Sequence, residues 1–275
     1  MAGKEKIVYH GENSDSEGDD HNHGKEEELD LPLEKLNLGP KKKLIVLSLG
    51  GVLCERVCRR EKRKIPRNRR ADASYGSMKT INPVYKRPHV EEFMKFCLEK
   101  FEVGIWSSAR EWYMGDALNC IMSGLRGQLV FAWDQDYCNN TGFSTIENDR
   151  KPIFLKELDK IWEKKSLSEG KFSASNTLLI DTNPYKALLN PPHTAIFPTE
   201  YKVQQVGDDD LGDNGALRVY LDGLANADDV PSYVKEHSFG QPPISATHRD
   251  WDFYSKIIRS LGKETVSVSG SGSGS

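Results

Sequence analysis

No part of this 275-residue chain approaches the roughly eighteen uninterrupted apolar residues that a membrane-spanning helix needs. The N-terminus also lacks the apolar core of a signal peptide and is too acidic for an Arg-rich mitochondrial presequence. Cysteine is scarce: Cys54, Cys58, Cys97, Cys120 and Cys138 form an odd set without the short paired spacings of a zinc site or the density of a disulfide scaffold. These absences exclude a membrane partner and a disulfide-stapled secreted domain, and they point to a reducing compartment, the nucleus or cytoplasm. A strong net charge is missing too, since the formal value is −3. That balance conceals separate acidic and basic blocks.

Residues 1–38 carry many Asp and Glu and few apolar side chains, the composition of a disordered acidic tail. Residues 263–275 end in SVSGSGSGS, a flexible Gly/Ser linker of the kind left by a tag. Between them, residues 39–262 read as one α/β domain. LIVLSL (44–49), EVGIW (102–106), QLVFAW (128–133), NTLLI (176–180) and TAIF (194–197) are short apolar runs of buried parallel strands. Helical spacing over 88–101, 112–122 and 251–261 places amphipathic helices between and after them, and Pro152 is read as opening another through Trp162. Strand alternating with helix predicts an open, mostly parallel sheet with helices on both faces. Residues 54–86 form an insertion too long for a simple loop, so a flap or small hairpins are expected there. GDDDLGDNG (207–215) reads as a mobile acidic loop.

Ligands of such sheets bind beyond the carboxyl ends of the strands. That rule selects Ser48 to Gly51, Ser107 and Ser108, Asp134 to Asp136, and Asp181 to Asn183. The first of these ends holds no acid, base or metal ligand at all.

Four stretches in this order, LIVLSLGGVL, KRPHVEEFMKFCLEKFEVGIWSSA, KPIFLKELDKIW and LLIDTNPYK, resemble the haloacid-dehalogenase superfamily. More narrowly they resemble the RNA polymerase II C-terminal-domain phosphatases of the FCP/SCP type and their relatives, over roughly residues 41–200. WDQDYC and NPYK are similar to plant members. The resemblance implies a HAD-like Rossmannoid fold with a flap after the first strand. It also implies an attacking Asp at position 48 and an acid/base Asp at position 50, where this chain has Ser48 and Gly50. It assigns phosphate binding to Ser107, Ser108 and Lys156, with Lys151 as a competing candidate for the lysine. Asp181 matches the acid that holds magnesium.

Serine is a weak nucleophile without a neighbouring base, and glycine offers no acid/base group. One carboxylate with hydroxyls and carbonyls is a poor magnesium site, so no cofactor is expected beyond weak or vestigial magnesium binding at Asp181. The reading is a catalytically inactive member, a pseudophosphatase that binds a phosphorylated or acidic protein segment. Two alternatives stay open: a weak magnesium-dependent Ser/Thr protein phosphatase, and an interaction scaffold with no phosphate binding.

Arg56, Arg59, Arg60, Lys62, Arg63, Lys64, Arg67, Arg69 and Arg70 crowd the insertion. The run fits a nuclear-localisation signal or acidic-partner contact, or a solvated charged flap. Nucleic acid is less favoured, because no aromatics are interleaved to stack on bases.

Overall fold

The computed structural model describes residues 42–57, 63, 65–75 and 82–262. The acidic tail, the Gly/Ser end and Arg59, Arg60, Lys62 and Lys64 of the basic run lie outside these residues.

The strands are β1 (Leu44–Leu47), β2 (Cys54–Arg56), β3 (Ala73–Tyr75), β4 (Asn82–Lys86), β5 (Glu102–Trp106), β6 (Phe131–Trp133), β7 (Asn139–Thr145), β8 (Asn148–Leu155), β9 (Thr177–Ile180) and β10 (Ala195–Ile196). The helices are α1 (Val90–Lys100), α2 (Glu111–Ile121), α3 (Asp159–Trp162), α4 (Lys165–Ser168), α5 (Ala216–Ala225), α6 (Val230–Glu236) and α7 (Trp251–Ser260). A five-stranded parallel sheet runs in the order β10-β9-β1-β5-β6, so the expected α/β architecture is present.

Strand β1 is central, and alternation along it explains the two cores. Ile45 and Leu47 pack with Phe93, Leu118, Leu221 and Val230 of α1, α2, α5 and α6 on one face. Leu44 and Val46 pack with Trp106, Ile161 and Phe172 on the other. All four β1 side chains are fully buried. At Gly104 of β5 an added Cβ would lie 2.3 Å from the Phe131 ring, so the neighbouring strand's aromatic fills the space a side chain would need.

The insertion forms an antiparallel sheet in the order β2-β4-β3, the flap expected over 54–86. Two readings change. Pro152 does not open a helix: Asn148–Leu155 is strand β8, paired with β7 in a hairpin. Within it Ile153 and Leu155 are buried while Phe154 is half-buried, a period of two, and the helical pattern begins only at Asp159. Proline is tolerated because a two-stranded hairpin leaves one backbone edge unpaired.

The 207–215 loop is also tied down. Arg87 Nε and Nη2 donate to the two oxygens of Asp208 at 2.8 Å each, and Nη2 donates to Asp210 at 2.6 Å. Leu211 is fully buried beside them. The arginine of the Lys-Arg-Pro stretch is thus a buried clamp between the start of α1 and this loop.

Candidate functional site

Register brings the site together. Leu47 pairs with Ile105 on one side and Ile180 on the other, so the residues that follow β1, β5 and β9 meet at one edge. Ser48 continues the ladder with its N–H on Ile180 O at 2.9 Å, and Ser107 does so on Trp133 O at 2.7 Å. Asp181 leaves β9 between β1 and β10, its N–H on Ile196 O. Lys156 arrives at the end of β8. Its backbone N–H reaches Lys186 O at 2.8 Å, and Asn190 Nδ2 holds its carbonyl at 2.9 Å.

At the centre is a buried network. Lys156 Nζ donates to Ser48 Oγ at 2.9 Å, Trp106 O at 2.5 Å and Asp181 Oδ2 at 2.6 Å. Trp106 O and Asp181 Oδ2 can only accept; beside the Asp181 carboxylate Lys156 is assigned as the ammonium, whose third N–H goes to Ser48 Oγ. Burial pulls Lys156 below the ordinary lysine range, while the Asp181 charge opposes that pull. For Asp181, burial on its own would raise the carboxyl. Lys156 and Lys186, with hydrogen bonds from Lys156 and the Asn183 N–H, outweigh it and hold the group well below the usual carboxylate range. Its other oxygen, Oδ1, takes Lys186 Nζ at 3.2 Å and Asn183 N–H at 3.0 Å.

Above this network opens a cleft of about 460 Å³ whose lining includes Ser48, Gly50, Ser107 and Ser108. Arg56, Lys151, Lys186 and Lys202 supply four cations to it, against the carboxylates of Glu55 and Glu200. Lys202 pairs with Glu200 at 2.7 Å, which mutes that acidic side. The serine hydroxyls point their chemistry into the opening. Ser48 Oγ accepts from Lys156, and Ser107 Oγ accepts from Ala109 N–H at 3.1 Å, so each hydroxyl hydrogen is left to donate. Two such donors beside cations have the chemistry that an oxyanion would need.

The structure therefore gathers Ser48, Gly50, Ser107, Ser108, Lys156 and Asp181 at one place, with different exposures. Lys156 and Asp181 are fully buried and do not line the cleft; Lys156 reaches it through Ser48. Lys151 lies at the mouth, 5.8 Å from the Tyr185 ring centre. Asp134 turns away to cap the short turn after β6, accepting from Asp136 N–H. Lys186 ends the LLIDTNPYK stretch but has no role assigned from the sequence, where nothing shows its side chain reaching Asp181.

Of the described basic run, Arg56 stacks on Tyr113 at 4.1 Å and lines the cleft, and Arg69 pairs with Asp72 at 2.6 Å. Arg63, Arg67 and Arg70 are exposed. Among the described residues no group of three or more His, Cys, Asp or Glu is placed to hold a metal ion. No helix among them is long and apolar enough to cross a membrane.

The chain is 26% identical over 205 residues to an uncharacterized FCP1 homology domain-containing protein of Schizosaccharomyces pombe, covering 72% of this chain and 78% of that one. It is 27% identical over 78 residues to a putative CTD phosphatase-like protein of Invertebrate iridescent virus 3, covering 26% of this chain and 40% of that one. Among solved structures it is similar to Fcp1, described as an essential RNA polymerase II CTD phosphatase, at 14% identity and a TM-score of 0.39. That similarity covers 80% of this chain and 62% of the Fcp1 chain. The model of the NLI interacting factor-like phosphatases matches residues 43–231, most of the described domain, and the chain belongs to that family.

Proposed function

We propose that this domain is a pseudophosphatase: a binding module that holds a phosphorylated or acidic protein segment in the cleft beyond β1, β5 and β9 without hydrolysing it. The observation that carries the reading is the partner of Ser48. A serine nucleophile needs a base within hydrogen-bond reach, and the group 2.9 Å from Ser48 Oγ is an ammonium that donates to it. Gly50, where the family resemblance puts the acid/base, has no side chain to replace that base. Loss of a nucleophile that works within a catalytic unit costs on the order of a millionfold in rate.

The donor set does not fit magnesium, which takes six oxygens at about 2.0–2.1 Å. Asp181 is the one carboxylate of the network, and both its oxygens already receive lysine ammoniums. The same charges suit an anionic ligand, and Ser48 and Ser107 have hydroxyl hydrogens to give it.

The test is a calorimetric titration of the protein with inorganic phosphate and with a phosphoserine peptide, in chelator. Saturable binding weakened by Ser107→Ala and Ser48→Ala is the expected result. Its absence would leave the interaction-scaffold reading. Turnover of an aryl phosphate with magnesium, abolished by Asp181→Ala, would instead establish the weak phosphatase.

A further inference from the structure

Lys186 is held as firmly as the residues around it. It sits in the single turn Pro184–Ala187 that follows Asp181, with its backbone N–H on Asn183 O at 3.1 Å and its carbonyl on Lys156 N–H at 2.8 Å. Its side chain is only 9% exposed, yet it lines the cleft and places Nζ 3.2 Å from Asp181 Oδ1. Asp181 is already matched by Lys156 at 2.6 Å, so the second ammonium is an excess positive charge in a largely buried place. Burying an ammonium without its own counter-charge is unfavourable. An anion entering the cleft supplies that counter-charge.

The position also bears on metal ions. A divalent ion approaching Asp181 from the cleft must use Oδ1, since Oδ2 faces the fully buried Lys156. At Oδ1 it meets the Lys186 ammonium, 3.2 Å from the same oxygen that a magnesium ion would approach to about 2.1 Å, so the two like charges would be crowded together. The two cations compete for one oxygen, and the lysine is covalently held there.

We propose that Lys186 is a built-in counter-cation that takes the place of a divalent ion at Asp181, so that the cleft meets the oxyanion of a phosphate monoester with a fixed ammonium and two serine hydroxyls. The ligand half of this inference rests on the binding-module reading above; the cation half does not.

The experiment uses the full chain and Mn²⁺ alone as probe, followed by electron paramagnetic resonance, with Lys186→Met and Lys186→Gln as variants checked for folding by circular dichroism. Both variants leave Asp181 its pair with Lys156. Wild type is expected to show no Mn²⁺ binding that Asp181→Asn removes. Either Lys186 variant gains Mn²⁺ affinity by at least about tenfold, and adding Asp181→Asn to it removes the gain. In parallel, phosphate titrated in chelator binds the Lys186 variants at least about tenfold more weakly than wild type. Mn²⁺ binding to wild type as tight as to the variants overturns the proposal, as does phosphate affinity indifferent to Lys186. If wild type binds no phosphate while the variants still gain Mn²⁺, the binding-module reading fails and the counter-cation stands.

Discussion

Asp181 and Lys156 show how one carboxylate can govern both stability and chemistry. The folded-state carboxyl of Asp181 is depressed below its unfolded value, mainly because two ammoniums outweigh the effect of burial. A depressed carboxylate contributes stability that is fully present above the unfolded value, about 3.9, and is lost as pH falls from there toward the folded value. Unfolding by urea at stepped pH should therefore show a loss of stability below about pH 4 that Asp181→Asn makes shallower. Lys156→Met should destabilise the domain by about 3–5 kcal/mol at neutral pH, because it removes one partner of a fully buried pair and leaves Ser48 Oγ and Trp106 O without their donor. A cost below about 1 kcal/mol, the range of exposed pairs, would mean that water reaches this pair in solution.

At the scale of elements, the sequence was most readable where one periodicity ran unbroken. EVGIW is strand β5, and the apolar spacing after Pro88 is α1, because burial on both sheet faces or on one helix face leaves a simple pattern. It was least readable at 139–155. There β7 is polar, and two alternating buried residues of β8 run straight into a helical spacing, so two periods merged into one false helix. The strand ends located Ser48, Ser107 and Asp181 because parallel pairing puts them at one edge whatever the loops do. Lys186 escaped notice because its role depends on a single turn folding back toward β8. Arg87 shows the same limit: its stretch was marked, but the acids that hold it are more than a hundred residues away. Replacing Arg87 with Lys keeps the charge but gives up the forked bond to Asp208. Arg87→Lys should cost about 2–3 kcal/mol by denaturant unfolding, and hydrogen exchange over 207–215 should quicken more than exchange in β1 or β9. Uniform quickening would show that the loop is held by Leu211 and its apolar neighbours instead.

For the molecule as a whole, on the pseudophosphatase reading Ser48, Gly50 and Lys186 form one charge arrangement of the cleft rather than three separate features. An active site of two or more carboxylates needs a dication to admit a phosphate dianion, whereas a site with Asp181, Lys156 and Lys186 already carries an excess of positive charge. On that reading, placing acids at positions 48 and 50 alone should not produce turnover. At Gly50 a Cβ would have no heavy atom within 4 Å among those that could obstruct it, so Gly50→Asp is sterically admissible. Ser48→Asp would place its carboxylate beside Lys156, which now donates to Ser48 Oγ at 2.9 Å. The Ser48→Asp/Gly50→Asp protein would still have Lys186 on Asp181 Oδ1, the oxygen for which the proposed counter-cation would compete with a metal. Its hydrolysis of an aryl phosphate with magnesium is expected to stay at the level of the parent. Adding Lys186→Ser should raise it at least about tenfold, and Asp181→Asn should abolish the gain. If the two acids suffice with Lys186 in place, the lysine is a bystander and positions 48 and 50 alone decide turnover.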